Sequence, residues 1–107
     1  MSKAEPKVKP VFEVGQLIQH LKFGYRGVIF KVDNSFALGE DWYENTAKSR
    51  PPKDHPWYHV MVDGAANTTY VAQRHLKNSH DTSQINNPML GKYFRRFDGQ
   101  KYFPPKR

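Results

Sequence analysis

Short runs of alternating hydrophobic and polar residues recur along this chain, and that pattern is typical of half-buried β-strands. The run over residues 26–33 alternates well. The residues predicted on one face of this strand are Val28, Phe30 and Val32. A shorter run, 16–20, precedes it, and Gly24 between the two runs supplies a turn conformation that bulky residues resist. This part of the chain therefore predicts a β-hairpin.

A second hairpin is predicted further along the chain. Residues 57–62 alternate, with Trp57, His59 and Met61 facing one way and Tyr58, Val60 and Val62 facing the other. An Asp-Gly pair at 63–64 opens a connection to another β-like run, 68–72. A single helical or 3₁₀ turn is predicted immediately afterwards, over residues 73–76.

The alternation is absent from the middle and the end of the chain. Residues 34–56 are polar and Pro-rich, and because proline lacks a backbone N–H they predict a long loop rather than a central strand. Residues 77–87 also predict a loop. Pro88 begins a short helical stretch toward Phe94, and an Asp-Gly turn at 98–99 lies between aromatic residues.

Four or five short strands with glycine turns and no long amphipathic helix favour an all-β fold. We predict a small SH3-like antiparallel β-barrel with short helical turns and a basic C-terminal tail. Residues 1–10 combine Lys and Pro with little that is apolar and predict a disordered basic arm. Residues 11–107 predict a single domain, for which 37% hydrophobic and 14% aromatic content supplies one modest core.

The amino-acid composition argues against several kinds of functional site. The chain has no cysteine, which excludes disulfides, thiol nucleophiles and Cys-based metal sites. No run approaches the roughly 18 apolar residues of a membrane span, so we expect a cytoplasmic protein without membrane contact, with nucleoid association as a variant of that location. The five His residues lack the helical spacing of a zinc-protease motif, and we predict neither a metal nor a cofactor.

Catalysis is not predicted either. The carboxylates that cluster in or beside the long middle segment are Asp33, Glu40, Asp41 and Glu44. Carboxylates in loops are usually solvated, and no nucleophile and base occur at a recognisable spacing. We therefore expect a binding protein rather than an enzyme.

The net charge of +7 is unevenly distributed. Both ends of the chain are basic, whereas residues 33–55 contain more Asp and Glu than Lys and Arg. Such a charge serves solubility or attracts an acidic partner such as nucleic acid, and the sequence leaves both interpretations open.

Three stretches, in matching order and spacing, resemble one known family. They are residues 12–16 with His20 and 23–28, then 56–64 with the letters PWYHVMVDG, and 69–72 followed by Leu76. Together they resemble the YccV-like, hemimethylated-DNA-binding family over about residues 12–77. This family includes the heat-shock protein HspQ, and a eukaryotic F-box protein carries the same domain.

The resemblance implies an SH3-like barrel and a preference for hemimethylated DNA. For HspQ-like members it also implies a stress-response role as a partner and modulator of the Lon protease. Residues 87–104 are more similar to the longer version in the F-box protein. Gln73 and Arg74 stand where HspQ-type chains tend to carry an acidic residue, so the protease role follows less directly than the fold.

Our first hypothesis is a module that binds double-stranded DNA. The residues predicted to contact DNA are Lys22, Tyr25, Arg26, Arg74, Lys77, Arg95 and Arg96. The basic members would bind phosphates, provided that the fold brings the turns together. Tyr25 is the candidate for contact with an adenine N6-methyl group in the major groove. The alternatives are an ordinary solvated turn around Lys22 and a C-terminal tail that is simply packed on the barrel.

Our second hypothesis is a protein-interaction adaptor that binds a protease such as Lon, or its clients, or that recognises substrates as a module of the F-box type. Its predicted contact residues are Trp42, Tyr43 and Tyr58. The acidic, Trp-containing middle segment motivates it, because that charge would repel DNA. Trp57 and Tyr70 are expected in the core, with His59 as a hydrogen-bonded neighbour.

Overall fold

A computed structural model describes residues 8–105, so most of the predicted arm, residues 1–10, lies outside the described residues. The strands are β1 (Leu17–His20), β2 (Arg26–Asp33), β3 (Trp57–Val62), β4 (Thr68–Ala72), β5 (Leu76–Asn78), β6 (Arg96–Phe97) and β7 (Tyr102–Phe103). Two short helices, α1 (Glu40–Thr46) and α2 (Leu90–Tyr93), and a 3₁₀ turn (Gln73–His75) complete the described elements.

Five strands form one antiparallel sheet in the order β4-β3-β2-β1-β5. The 3₁₀ turn connects the two edge strands, β4 and β5, but in the described chain they do not pair with each other, so the barrel is not closed. Val71 on β4 and Leu76 on β5 nevertheless share a core cluster, which requires the sheet to curl strongly. The prediction of a small all-β fold is confirmed, and the fold is an open, curled sheet.

Most predicted elements are present. The two hairpins, the turn at Gly24 with its positive φ of 80°, the 3₁₀ turn and the short helix before Phe94 all occur where the pattern placed them. The Asp-Gly turn at 98–99 connects β6 to β7. Local periodicity predicted these elements because each is specified by adjacent residues.

The prediction of a continuous loop over 34–56 was wrong, because this segment contains helix α1. Glu40 and Asp41 occupy its first turn, where acidic side chains favour the positive end of the helix dipole. The prolines that argued against regular structure lie after the helix, at Pro51, Pro52 and Pro56. Packing of Tyr43 against Trp57 holds the helix on the sheet, and local patterning did not reveal that contact.

Two further expectations were wrong in detail. Residues 77 and 78, predicted as loop, belong to strand β5, which pairs with β1 and is too short for alternation to be visible. A β-bulge between Ile29 and Lys31 shifts the register of β2. Because a one-residue shift reverses the side-chain faces, Val32 packs with Ile29 rather than with Val28.

Both faces of the central sheet are covered. The concave face encloses one cluster of buried residues, which comprises Ile18, Ile29, Tyr58, Val60, Val71 and Leu76. The opposite face is covered by the C-terminal segment in a second cluster, which comprises Leu17, Val28, Met61, Ile85, Phe94 and Tyr102. The C-terminal tail is therefore packed onto the sheet, with Phe94 and Tyr102 buried and Phe97 partly buried, whereas Tyr93 is 39% exposed. This arrangement favours the alternative in which the C-terminal tail is simply packed on the rest of the fold. It concerns the tail as far as residue 105, where the described residues end.

Candidate functional site

The tertiary fold gathers basic residues that are far apart in sequence. The N–H of Leu21, in the turn after β1, donates to the carbonyl of His75 at 2.8 Å and ties this turn to the 3₁₀ turn. Lys22 lies in the first of these turns, Arg74 in the second, and Lys77 on β5 beside β1. All three residues are exposed, and the Arg74 guanidinium also donates to the carbonyl of Ser49 at 2.9 Å. We call Lys22, Arg74 and Lys77 the basic cluster: Lys22 and Arg74 lie on turns that are hydrogen-bonded to each other, as the DNA hypothesis required, and Lys77 lies on the adjoining strand.

Arg26, predicted to bind phosphate, is engaged inside the protein. Its guanidinium lies 3.2 Å from the carboxylate of Asp63 and donates to the carbonyl of Asp81 at 3.0 Å and to the hydroxyl of Ser79 at 3.3 Å. Only 14% of its side chain is exposed. Arg26 therefore anchors the segment after β5 to the sheet, and a phosphate contact by this residue stays a prediction.

The exposed aromatic residue of the first turn is Phe23 rather than Tyr25. The Tyr25 hydroxyl is 2.8 Å from the Thr69 hydroxyl, and burial raises the pKa of Tyr25. Phe23 is 70% exposed, and the Lys22 ammonium lies 5.7 Å from its ring centre. Sequence reasoning missed Phe23, although a large apolar residue between Lys22 and Gly24 at a predicted turn was a visible signal.

Arg95 and Arg96 lie in a second basic region on the β6–β7 hairpin. The Arg96 guanidinium is 4.1 Å from the centre of the Phe103 ring. The hairpin is attached at the start of β1, where the N–H of Tyr102 donates to the carbonyl of Gly15 at 2.9 Å. Lys22 follows the other end of β1, so the fold does not merge the predicted DNA contacts into one patch.

A cavity of about 630 Å³ lies beside the basic cluster, and we call it the aromatic groove. Its walls come from the first turn, from residues 46–49 at the C-terminal end of α1 and just after it, and from β4. Its aromatic lining residues are Phe23, Tyr25, Trp42, Trp57 and Tyr70. Lys22, Lys48 and three His residues also line it, but no Asp or Glu of the described chain does. The groove is therefore apolar with a basic rim.

The base of the groove is rigid. Trp57 is 1% exposed and stacks on Tyr70 with ring centres 5.1 Å apart. The Tyr70 hydroxyl donates to Asp33 at 2.8 Å, and the same carboxylate oxygen is 3.0 Å from His59 Nε2. Burial raises the pKa of Tyr70 far above its usual range, and the hydrogen bond that its hydroxyl donates to Asp33 adds to this effect. Asp33 is therefore not the solvated carboxylate that the sequence suggested.

Of the three aromatic residues predicted for protein interaction, one reaches the groove. Tyr43 is buried and its hydroxyl donates to the carbonyl of Pro51 at 2.7 Å. Tyr58 is fully buried and its hydroxyl donates to Gln73. Trp42 is half-buried, with its ring edge on Tyr70 at 5.5 Å, and lines the groove. Helix α1 therefore contributes to the lining of the aromatic groove mainly through the side chain of Trp42.

Two histidines connect the basic cluster to the groove. The rings of His20 and His75 are 5.8 Å apart, and His20 Nδ1 accepts hydrogen bonds from the N–H groups of Lys22 and Phe23 at 3.1 and 3.0 Å. Burial lowers the pKa of His20, with contributions from His75 and Lys22. Burial, Arg74 and Lys22 lower the pKa of His75. Both rings are therefore held neutral near pH 7.

We expect thermal stability to decrease as the pH falls from about 7 to about 5. Because both histidines have a lower pKa in the folded protein than the ordinary 6.5, the unfolded chain binds protons first and is favoured. Unfolding temperature measured across this range should fall for the wild type. It should fall less for His75→Gln, and equal slopes for the two proteins would contradict the assignment.

The described residues also give information on metal binding and on membrane-spanning helices. Between residues 8 and 105, no group of three or more His, Asp and Glu side chains is placed to hold a metal ion. No helix in that range has the length and apolar character to cross a membrane.

An open, curled antiparallel sheet with a basic cluster beside an aromatic groove defines a small all-β binding domain. A family model described as hemimethylated DNA-binding protein YccV like matches residues 10–101. The chain belongs to this YccV-like family, as the resemblance implied. The family is described by DNA binding and not by an enzymatic reaction.

F-box only protein 21 is similar to this chain in several mammals. The mouse protein is 32% identical over 105 residues, which cover 95% of this chain and 17% of the relative. The human protein is 32% identical over 95 residues, 87% of this chain and 15% of the relative. The chain thus spans about one sixth of the length of these relatives, and its predicted relation to the F-box protein is confirmed.

Proposed function

We propose that this protein binds double-stranded DNA through the basic cluster, with a preference for hemimethylated sites. The description of its family carries the proposal. The exposed positions of Lys22 and Arg74 on two linked turns, and of Lys77 on strand β5, support it, since cations grouped on rigid elements bind phosphates and orient a duplex.

In this proposal, Phe23 supplies the contact that distinguishes methylated adenine. Phosphate contacts alone carry no sequence information, so the discrimination requires an apolar group that reaches a base edge. Phe23 is the largely exposed aromatic residue of the turn that also bears Lys22. Tyr25, half-buried against Thr69, instead holds the turn in place.

The test is fluorescence anisotropy with unmethylated, hemimethylated and fully methylated GATC duplexes of one length over a salt series. We expect the tightest binding to the hemimethylated duplex and affinity that declines steeply with salt, because binding releases condensed counterions. Equal affinity for all three duplexes would reduce the proposal to charge attraction. Absence of binding at low salt would remove it.

Replacing Phe23 by Ala should weaken the methyl preference while leaving the fold intact. Losing the burial of one methyl group, worth ~0.8 kcal/mol, lowers the ratio of hemimethylated to unmethylated affinity roughly fourfold. Because Phe23 is mostly exposed, the unfolding free energy should change by less than about 0.5 kcal/mol. Anisotropy and chemical denaturation check the two parts. Leu21→Ala is the matched control, since Leu21 is an exposed apolar residue of the same turn.

We also propose, as a second function, that the aromatic groove binds another protein. Support comes from the similarity to F-box only protein 21 and from an apolar groove with a largely preformed aromatic base. A stress-response role as an HspQ-like modulator of the Lon protease is one form of this function, and substrate recognition within an F-box protein is another. Co-purification of defined partners with the wild type and with Trp42→Ala separates groove-dependent binding from other contacts.

A further inference from the structure

Within residues 8–105, strand β4 pairs with another strand along one edge, and its other edge, which we call the free edge, opens into the aromatic groove. Its neighbour in the sheet is β3, and the N–H of Val62 donates to Asn67 at one end of the pair, while the N–H of Gln73 donates to Pro56 at the other. Hydrogen-bonded pairs alternate along antiparallel strands. Residues 69 and 71 therefore turn their backbone groups toward β3. Thr68, Tyr70 and Ala72 turn their N–H and C=O groups away from it, along the groove.

A free edge of this kind accepts an extended chain as an added strand. Every residue of β4 lines the groove, so an added strand would run between β4 and the wall formed by residues 46–49. Side chains of a strand alternate, so every second side chain of the added strand would point into the aromatic groove against Tyr70 and Trp42. The edge supplies affinity through the backbone, and the groove supplies side-chain selectivity.

The charge around the groove selects an acidic occupant. Lys22 and Lys48 line it, Arg74 adjoins it, and no carboxylate of the described chain is among the lining residues. The acidic side chains of α1 are engaged elsewhere in part, since Glu40 pairs with Lys53 and Glu44 with Arg50 at 2.8 Å. An anionic chain would meet cations on the rim without an opposing carboxylate in the lining.

The free backbone edge favours a peptide over nucleic acid. Thr68 and Tyr70 offer alternating donors and acceptors along the accessible part of this edge, whereas Ala72 is 3% exposed. A peptide backbone carries both groups at the matching repeat. A phosphodiester backbone carries acceptors without N–H donors, so it would leave the carbonyls of this edge unpaired. The DNA surface proposed above and the free edge of β4 are therefore suited to different partners.

We propose that the free edge of β4 and the aromatic groove together bind an extended acidic segment of a partner protein as an additional β-strand, with an apolar side chain of that segment in the groove. This inference rests on the second proposed function and is independent of DNA binding. It defines the site, the binding mode and the chemistry of the partner.

The test uses capped octapeptides in which Glu and Val alternate and one central position is varied through all the standard amino acids. Binding to the ¹⁵N-labelled full chain is followed by NMR at peptide concentrations up to about 2 mM, which detects weak complexes. We expect the largest shifts at the amides of Thr68 and Tyr70, and the tightest binding with an aromatic or branched aliphatic central residue. Failure of the whole series to bind would overturn the proposal.

Two versions of the best peptide isolate the strand pairing without altering the protein. Each is N-methylated at one of the two alternating sets of backbone nitrogens. The version blocked on the side facing β4 should bind at least about tenfold more weakly, and the other within about twofold of the parent, because one edge of an added strand is hydrogen-bonded. Equal effects of the two versions would refute strand addition.

Lys48→Glu tests the charge selection, with Lys92→Glu on α2 as the matched control outside the groove. Affinity for the acidic peptide should fall at least about threefold in the first variant and stay unchanged in the second, most clearly at low salt. A GATC duplex is titrated in parallel. If DNA shifts the amides of Thr68 and Tyr70, the groove belongs to the DNA surface and the proposal fails. If DNA does not bind while the peptide does, the DNA function fails and this inference stands.

Discussion

Reversing the charges of Lys22 and Lys77 together is expected to lower duplex DNA affinity roughly tenfold or more at about 50 mM salt. Each substitution would remove a lysine–phosphate contact and introduce a carboxylate that repels the DNA backbone. The slope of log affinity against log salt should become shallower by about two, one for each contact removed. Both side chains are exposed, so the fold should tolerate the change. Anisotropy over a salt series measures both quantities.

The matched control is the double variant Lys31→Glu/Lys92→Glu, which changes the net charge by the same amount outside the basic cluster. Lys31 lies on β2 and Lys92 on α2. An affinity loss confined to the first variant would locate the phosphate contacts on the basic cluster. An equal loss in both would mean that DNA responds to the overall charge of the protein.

Gly15→Ala is expected to cause the largest loss of stability, roughly 3 kcal/mol or more, which lowers the unfolding temperature of a domain of this size by roughly 10 to 20 °C. Gly15 has a φ of +93°, and an added Cβ would come within 1.9 Å of the Tyr102 carbonyl oxygen. Its own N–H and C=O bind Ile29 and Tyr102. The substitution should therefore detach the C-terminal hairpin as well as strain the backbone.

The variant Gly64→Ala separates backbone strain from the steric clash with Tyr102. Gly64 also has a positive φ, of +80°, but open space surrounds the position of its missing Cβ. This variant should lose only the roughly 1 to 2 kcal/mol of an unfavourable backbone conformation. Thermal and urea denaturation of both variants would measure the difference. If the two variants lose the same free energy of unfolding, the clash with Tyr102 adds nothing to the cost of the strained backbone.

The two proposed functions use adjoining parts of one surface. Lys22 belongs to the basic cluster and also lines the aromatic groove. A duplex held on the basic cluster and an acidic peptide in the groove would both be attracted to this side chain. Competition between the two ligands in the anisotropy assay would place them on overlapping sites.

The sequence alone determined the elements that depend on neighbouring residues. Alternation located β1 to β4, Gly24 located the first turn, and the YccV-like motifs identified the family together with its all-β fold. These predictions succeeded because strand periodicity, turn conformation and motif spacing are local properties. The same local signals failed at α1, where contact with Trp57 matters, and at Val32, where a bulge reverses the face of the strand.

Only the tertiary structure decided which side chains form the site. Arg26 and Lys22 are both basic residues beside the first turn, yet the Arg26 side chain is 14% exposed and bonded to Asp63 and Asp81. Lys22 and Lys77 are exposed, and Arg74 is exposed with a hydrogen bond to the Ser49 carbonyl. Tyr25 is turned toward Thr69, and Phe23 toward solvent. Pairing between strands distant in sequence and curling of the sheet set these positions, because burial and hydrogen bonding depend on which distant residues meet.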